Sequence, residues 1–419
     1  MELEARVELL WPGKDEARRA ALAPPVGSLQ RIPGAGTVCR TERDSAGTPP
    51  NLVIEGDSLD VLPHLRRDFG EKVTVAYIDP PYNTGNDGIY EDDFGGHVRW
   101  LNLIYPRLAL LRPLLRPDGV VFVSIDESEL GRLLVVMDEI FGDVNREGII
   151  CWRRRYNQPN DKTKMIAKVA EFVVAYARDA RALRASGVGK VDLTGAFANP
   201  DGDPRGDWAS KPWKVGSDQS GSRYALTTPA GAAYEETWMG DEETYRTLLA
   251  DGRIFFPNGG RGSPRKKYFR REREAEGQCA TNWWPCEGFG HNQGANAQLT
   301  RLFGVKNVFS NPKPLELLRG LIQIGNAKDD DVVLDCFAGS GTTGHAVMNA
   351  NAEDGGRRRF VLVQKTEAVP EGAPARALGL STIPEILRER LRRAGVEVAA
   401  VLGRRAEFEA LAHVVDSGR

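Results

Sequence analysis

The chain has little net charge, little sulfur and little histidine. Of 419 residues only five are Cys, five are Met and five are His, and 56 Lys+Arg against 58 Asp+Glu leave a formal charge of −2. With a sum this close to neutral, any basic surface is local and balanced by acidic surface elsewhere. The cysteines (Cys39, Cys151, Cys279, Cys286, Cys336) show no paired spacing. An odd count in a long chain argues for free thiols in a reducing cytoplasm rather than for a disulfide framework. Cys279 and Cys286 with His291 fit no zinc spacing, so no metal site is expected. No signal peptide and no apolar run of membrane length is present, so a cytoplasmic protein without membrane contact is expected. A Walker Gly-Lys-Ser/Thr loop is also missing, and so are helicase and nuclease motifs. What remains is ample apolar content, 41% of the residues, enough for a large core and an insertion.

Two stretches stand out. The first is VTVAYIDPPYN, from Val73 to Asn83. Val73 to Ile78 reads as a buried strand, which the two prolines forbid to continue. Asp79 then places a carboxylate at the strand's C-terminal end, where open α/β sheets bind ligands. Pro80 and Pro81 lack N–H groups and leave the Pro80 carbonyl free to accept. Tyr82 offers a flat ring. Two acceptors and an aromatic face suit an exocyclic –NH2 group of a purine or pyrimidine. Taken alone, the four residues also read as an ordinary turn after a strand.

The second stretch is DVVLDCFAGSGTTGHA, from Asp331 to Ala346. A strand at Val332–Leu334 runs into Asp335, Cys336, Phe337, Ala338, Gly339, Ser340 and Gly341. Thr342, Thr343 and His345 then open a helix. Alternate glycines let a ligand approach the backbone, next to unpaired N–H groups at the helix start. Gly339, Gly341 and Gly344 match a dinucleotide loop by spacing only, and a plain tight turn is the other reading.

Together these segments resemble the DNA amino-methyltransferases of the β arrangement, in which DPPY precedes the FAGSG loop. More narrowly, they are similar to modification subunits of type III restriction-modification systems, with comparable NLVIEGDSLDVL, YIDPPYNTG, SIDESE and LDCFAGSGTTGHAV segments. The resemblance extends to about Gln364. It implies S-adenosylmethionine as cofactor, S-adenosylhomocysteine as product and double-stranded DNA as substrate. It also implies a homodimer and a restriction subunit on another chain. Asp79, Pro80, Pro81 and Tyr82 match the catalytic motif. Asp335, Phe337, Ala338, Gly339, Ser340, Gly341, Thr342 and Thr343 match the cofactor loop, and Asp79 borders it. Asp57, with Ser58, matches the residue that contacts the adenine end, although either also reads as a helix N-cap. Lys313 is a candidate partner for the cofactor's carboxylate, with a solvated lysine as the equal alternative. The usual acidic ribose ligand is replaced by Gln364, with Glu367 three residues later.

The expected architecture is a doubly wound, Rossmann-like α/β sheet of the S-adenosylmethionine-dependent methyltransferase type with an inserted target-recognition region. Residues 1–50 read as an N-terminal arm with a helix broken at Pro12-Gly13, and 51–179 as the catalytic half. Residues 180–310 read as the recognition region, 311–370 as the cofactor half and 371–419 as an extension without chemical meaning. Thr84–Phe94 reads as a mobile loop beside the site. Asp126 and Glu127 read first as a cap for the following helix. Arg153, Arg154 and Arg155, flanked by Trp152 and Tyr156, are candidates for phosphate or base contact, equally with a solvated face. The block 180–310 holds Trp208, Trp213, Trp238, Trp283 and Trp284. It also carries the densest basic run, Arg261–Arg273, in which Arg265, Lys266, Lys267 and Arg270 are candidate phosphate ligands.

The target base must leave the duplex stack to reach DPPY. Tyr82 would stack on it while Asp79 and the Pro80 carbonyl accept from its amino group. Transfer would be direct, in keeping with the lack of a Pro-Cys nucleophile. By resemblance, Asp at the first motif position favours adenine N6, with cytosine N4 the alternative. A protein glutamine-amide methyltransferase and a non-catalytic recognition subunit are the remaining readings.

Overall fold

The computed structural model describes residues 7–33, 51–85, 92, 94–160, 162–193, 195–216, 219–402 and 409–414. The chain divides into two compact units, Met1–Gly189 with Thr281–Arg419, and Lys190–Ala280.

The larger unit carries a ten-stranded sheet. Its strands are β1 (Ser28–Arg31), β2 (Leu52–Glu55), β3 (Val73–Ile78), β4 (Leu115–Ile125), β5 (Arg146–Arg153) and β6 (Ala170–Ala177), with β12, β13, β14 and β15 following the second unit. The second unit contributes β7 (Trp208–Pro212), β8 (Ser222–Thr227), β9 (Ala233–Trp238), β10 (Ile254–Phe255) and β11 (Arg265–Phe269). Then come β12 (Trp283–Trp284), β13 (Val332–Asp335), β14 (Arg359–Gln364) and β15 (Glu409–Val414). The large sheet runs β1-β15-β2-β14-β13-β3-β4-β6-β5-β12, parallel from β15 to β4. Strands β4, β6 and β5 pair antiparallel.

Its central strands are apolar because helices cover both faces. All six residues of β3 are buried, and so are all four of β13. From β3 the chain moves outward to β4, and from β13 it moves the other way to β14. The two neighbours β3 and β13 therefore form the topological switch point, where a crevice opens beyond the strands' C-terminal ends. Asp79 follows β3 and Asp335 ends β13, so segments remote in sequence meet there.

Local signals place the flanking helices. Asp57 caps Ser58–Phe69 through the Leu59 amide, and Asp126 caps Glu127–Phe141 through the Ser128 amide, as expected for both. The helix Lys14–Leu22 begins directly after Pro12-Gly13, the expected break. In Leu315–Ile324 the buried stripe is Leu317, Leu318, Leu321 and Ile322. The segment Thr84–Phe94 lies largely outside the described residues. Its ends are anchored, since buried Asp92 accepts from the Asn83 amide at 2.8 Å and the Phe94 amide donates to Asn83 Oδ1 at 3.2 Å.

The second unit is narrower than the expected block 180–310. Trp284 of β12, which pairs parallel with β5, is fully buried, and Leu299 and Phe303 pack with Val308, Phe309 and Ile383. Irregular, glycine-rich composition hid this return to the main core. Within the second unit, Trp213, Leu226, Trp238, Tyr245 and Ile254 form a small core of their own. No helix among the described residues is long and apolar enough to cross a membrane. No acidic, histidine or cysteine cluster among them could hold a metal ion.

Trp100 ties this core to the first motif. It is fully buried, and its indole N–H donates to the Pro81 carbonyl at 2.7 Å. Trp100→Phe keeps most of the apolar contact and orphans that carbonyl. The expected loss is about 1–3 kcal/mol, readable as a lower thermal midpoint.

Candidate active site

Asp79 stands just beyond β3 with 24% of its side chain accessible. Its Oδ1 lies 2.8 Å from the Tyr82 hydroxyl and 2.8 Å from Lys313 Nζ. The same hydroxyl lies 3.1 Å from Oε2 of Glu171, so one phenolic proton serves two carboxylates. Glu171, 5% exposed on β6, also faces Lys313 Nζ at 3.4 Å and Arg154 Nη1 at 3.0 Å. Two acids and two bases thus surround one tyrosine. Burial raises the Asp79 pKa, while Lys313 pulls it back toward the ionised form. Burial and both acids raise the Tyr82 pKa far enough to keep the phenol neutral.

Lys313 is not the solvated lysine of the alternative reading, with 10% of its side chain accessible. Its ammonium engages Asp79 and Glu171 and sits 4.9 Å from the centre of the Tyr82 ring. Glu171 carried no signal beyond being the start of a strand. Its spacing from Tyr82 has no meaning in sequence, because antiparallel β6 reaches this edge only by pairing with β4.

Asp57 takes the cap role that its sequence allowed. It caps its helix and also pairs with Arg107, whose Nε donates to Ser58 Oγ at 2.9 Å. Burial pushes its carboxyl up, but Arg107 and the Leu59 amide outweigh that and hold it below the usual range. Arg107 lay unnoticed inside a helix predicted as core.

The second motif is internally bonded. The Phe337 amide donates to Asp335 Oδ1, the Ala338 amide to the Val363 carbonyl and the Gly341 amide to the Ala338 carbonyl. The Gly339 amide donates to Gln364 Oε1 at 2.7 Å, and Gln364 Nε2 donates to Glu367 at 3.1 Å. Gln364 is therefore a brace for the loop. Gly339 (φ +50°) and Gly341 (φ +83°) occupy left-handed backbone, and a Cβ on Gly341 would meet Leu387 at 3.0 Å. Four amides of the loop are thus committed within the protein. Asp335 is buried, with Thr343 Oγ1 donating to it at 2.5 Å. Burial lifts its pKa to about 7, against the Thr343 and Phe337 hydrogen bonds.

Residues of both motifs line one open cavity of about 130 Å³. It joins Asp57, Ser58, Asp79, Pro81, Lys313, Asp335, Phe337, Ala338, Gly339, Ser340, Thr342, Thr343 and Gln364, and Phe309 and Ile383 add apolar wall. The two motifs share a single pocket.

The candidate nucleic-acid contacts divide. Arg154 is turned to Glu171, and Arg153 donates to the Arg155 and Tyr156 carbonyls. In the second unit, Lys267 overturns its expectation. It is 5% exposed and held by Asp201 at 2.5 Å and Asp203 at 2.9 Å, so it cannot meet a phosphate. Alternation along β11 explains this, since Lys267 and Phe269 face inward while Lys266 and Tyr268 share the other face. Arg265 bonds Ser210, and Arg270 lies 4.9 Å from the Phe197 ring.

A DNA methylase family model matches residues 73–373, most of the chain and both motifs. The chain belongs to the DNA methylase family. It is 34% identical to the type III restriction-modification enzyme StyLTI Mod subunit of Salmonella typhimurium, over 95% of this chain and 64% of that protein. It is 30% identical to the EcoPI Mod subunit of Escherichia phage P1, over 92% and 67%. The type II methyltransferase M.KpnI of Klebsiella pneumoniae is 29% identical, over 80% and 85%. The chain thus spans roughly two thirds of the length of the Mod subunits it matches, 64% for the first.

The raised Asp335 pKa sets a pH signature for this methylase-family fold. Between the ordinary value of 3.8 and about 7 the native state binds the extra proton, so stability falls as pH rises through that window. Asp335→Asn is expected to flatten that slope in thermal melts between pH 4 and 8, leaving the variant relatively more stable at the alkaline end.

Proposed function

We propose that the chain transfers a methyl group from S-adenosylmethionine to the N6 amino group of adenine in duplex DNA. The observation that carries this reading is the single cavity joining Asp79 and Pro81 to Gly339 and Ser340 of the glycine loop at the sheet's switch point. When bound, S-adenosylmethionine supplies an electrophilic methyl group on a sulfonium.

The residues present fit that cofactor. It has no phosphate, which suits a loop whose amides are bonded internally. Phe309, Phe337 and Ile383 offer apolar wall for its adenine, and Asp57, Ser340 and Thr342 offer polar groups for its hydroxyls and amino-acid end. Asp79 accepts from the target amino group, which raises electron density on nitrogen. Lys313 favours its ionised form while Tyr82 stays a neutral phenol. The Tyr82 ring stacks on the extruded base, whose removal from the stack costs a few kcal/mol. Adenine rather than cytosine N4 follows from Asp at the first position of the motif and from the relatives named Mod subunits.

The second unit is read as the target-recognition region, with Lys266 and Arg270 on phosphates, together with Arg155 of the larger unit. A homodimer and a restriction subunit on another chain complete the proposed assembly, by analogy with type III enzymes.

The test is single-molecule sequencing of plasmid DNA from a methylation-free host that expresses this chain, beside an Asp79→Ala control. N6-methyladenine at one recurring motif is expected, reduced at least about a hundredfold in the control. Methylation confined to cytosine N4 overturns the choice of base, and unmodified DNA overturns the proposed activity of this chain.

A further inference from the structure

The helix Ile383–Leu402 lies in the C-terminal stretch to which the sequence assigned no chemistry. It packs Ile386, Leu387, Leu391 and Ala394 into the core, and among them it buries Arg390 at 1% exposure. Arg390 has no carboxylate within ion-pair distance among the described residues. Its Nη1 donates to Ser340 Oγ at 2.8 Å and to Thr342 Oγ1 at 2.6 Å, and its Nε has no partner. Burial alone draws its pKa down to about 9, with no acid opposing that shift. A charge placed in the interior without a counter-ion is costly unless something else balances it.

The hydrogen bonds indicate what that is. A guanidinium can only donate, so it occupies acceptor positions on both hydroxyl oxygens. Each hydroxyl then has its own proton free to donate. No acceptor for either proton is found among the described residues. Both Ser340 and Thr342 line the cavity. A donor chain therefore starts at a buried positive charge and ends in two hydroxyl protons at the pocket, each strengthened by the cation behind it. Such an array selects a ligand group rich in acceptor oxygens and carrying negative charge.

We propose that Arg390, acting through Ser340 and Thr342, is a positioning residue for the carboxylate of the cofactor's amino-acid end. This rests on the reading of the cavity as an S-adenosylmethionine site. It leaves Lys313 to its ion pairs with Asp79 and Glu171. The arginine does not line the pocket, so its influence on the ligand passes through the two hydroxyls.

Calorimetric titration of the full chain with S-adenosylmethionine and with its decarboxylated analogue tests this, because the two ligands differ only in the carboxylate. Wild type is expected to prefer the carboxylate form. Arg390→Met is expected to weaken S-adenosylmethionine about tenfold or more while changing the decarboxylated analogue by less than about threefold. Arg390→Lys should recover part of the preference. Thr342→Val removes one relay hydroxyl without touching the buried arginine, so it reads the same selectivity if Arg390→Met fails to fold. Equal weakening of both ligands means the arginine only supports the loop or serves the ribose, and overturns the proposal. Unchanged affinities overturn it too. Binding of neither ligand by wild type instead overturns the cofactor reading on which it rests.

Discussion

Two carboxylates, Asp79 and Glu171, share one tyrosine hydroxyl, and the ammonium of Lys313 makes that arrangement tolerable. Burial raises the Asp79 pKa, and a protonated Asp79 would lose the negative charge that strengthens its acceptance from an amino group. The cation must arrive from a segment after the second unit, just before the helix Leu315–Ile324. The carboxylates arrive from β3 and β6. Only a sheet that brings these three segments to one edge can assemble the cluster, and the switch point between β3 and β13 provides it. Trp100 then fixes the first motif from beneath through the Pro81 carbonyl.

The glycine loop answers a different constraint. It must come close to a ligand, and it holds its shape by committing four amides to Asp335, Val363, Ala338 and Gln364. The Ser340, Thr342 and Thr343 side chains add hydroxyls at the cavity. The bonding of the loop also explains why a glutamine stands at the end of β14, where an acid was anticipated. Gln364 can both accept from Gly339 and donate to Glu367, which a carboxylate cannot.

Much was legible in the chain itself. The apolar runs of β3 and β13, the proline stop after Ile78, and the caps at Asp57 and Asp126 are local matters. Backbone sterics and short-range hydrogen bonds settle them, so they read directly from neighbours in sequence. The pairing of DPPY with FAGSG, in that order, was enough to name the methylase family before any geometry was known. Pattern failed where several readings share one composition. Arg265, Lys266 and Lys267 look alike in a basic run, yet strand alternation buries the third against Asp201 and Asp203. The glycine- and tryptophan-rich stretch after Ala280 gave no sign that Trp284 would rejoin the main core.

Residue order alone determined the two motifs, their attachment to strand ends and the chemistry that an Asp, two prolines and a Tyr permit. The tertiary structure decided which charges stand behind them. Glu171, Lys313, Arg107 and Arg390 act through long-range contacts, from Arg390 with Thr342, 48 positions away, to Lys313 with Asp79, 234 positions away. Their electrostatic weight comes from desolvation, a property of the packed interior that no stretch of sequence possesses by itself.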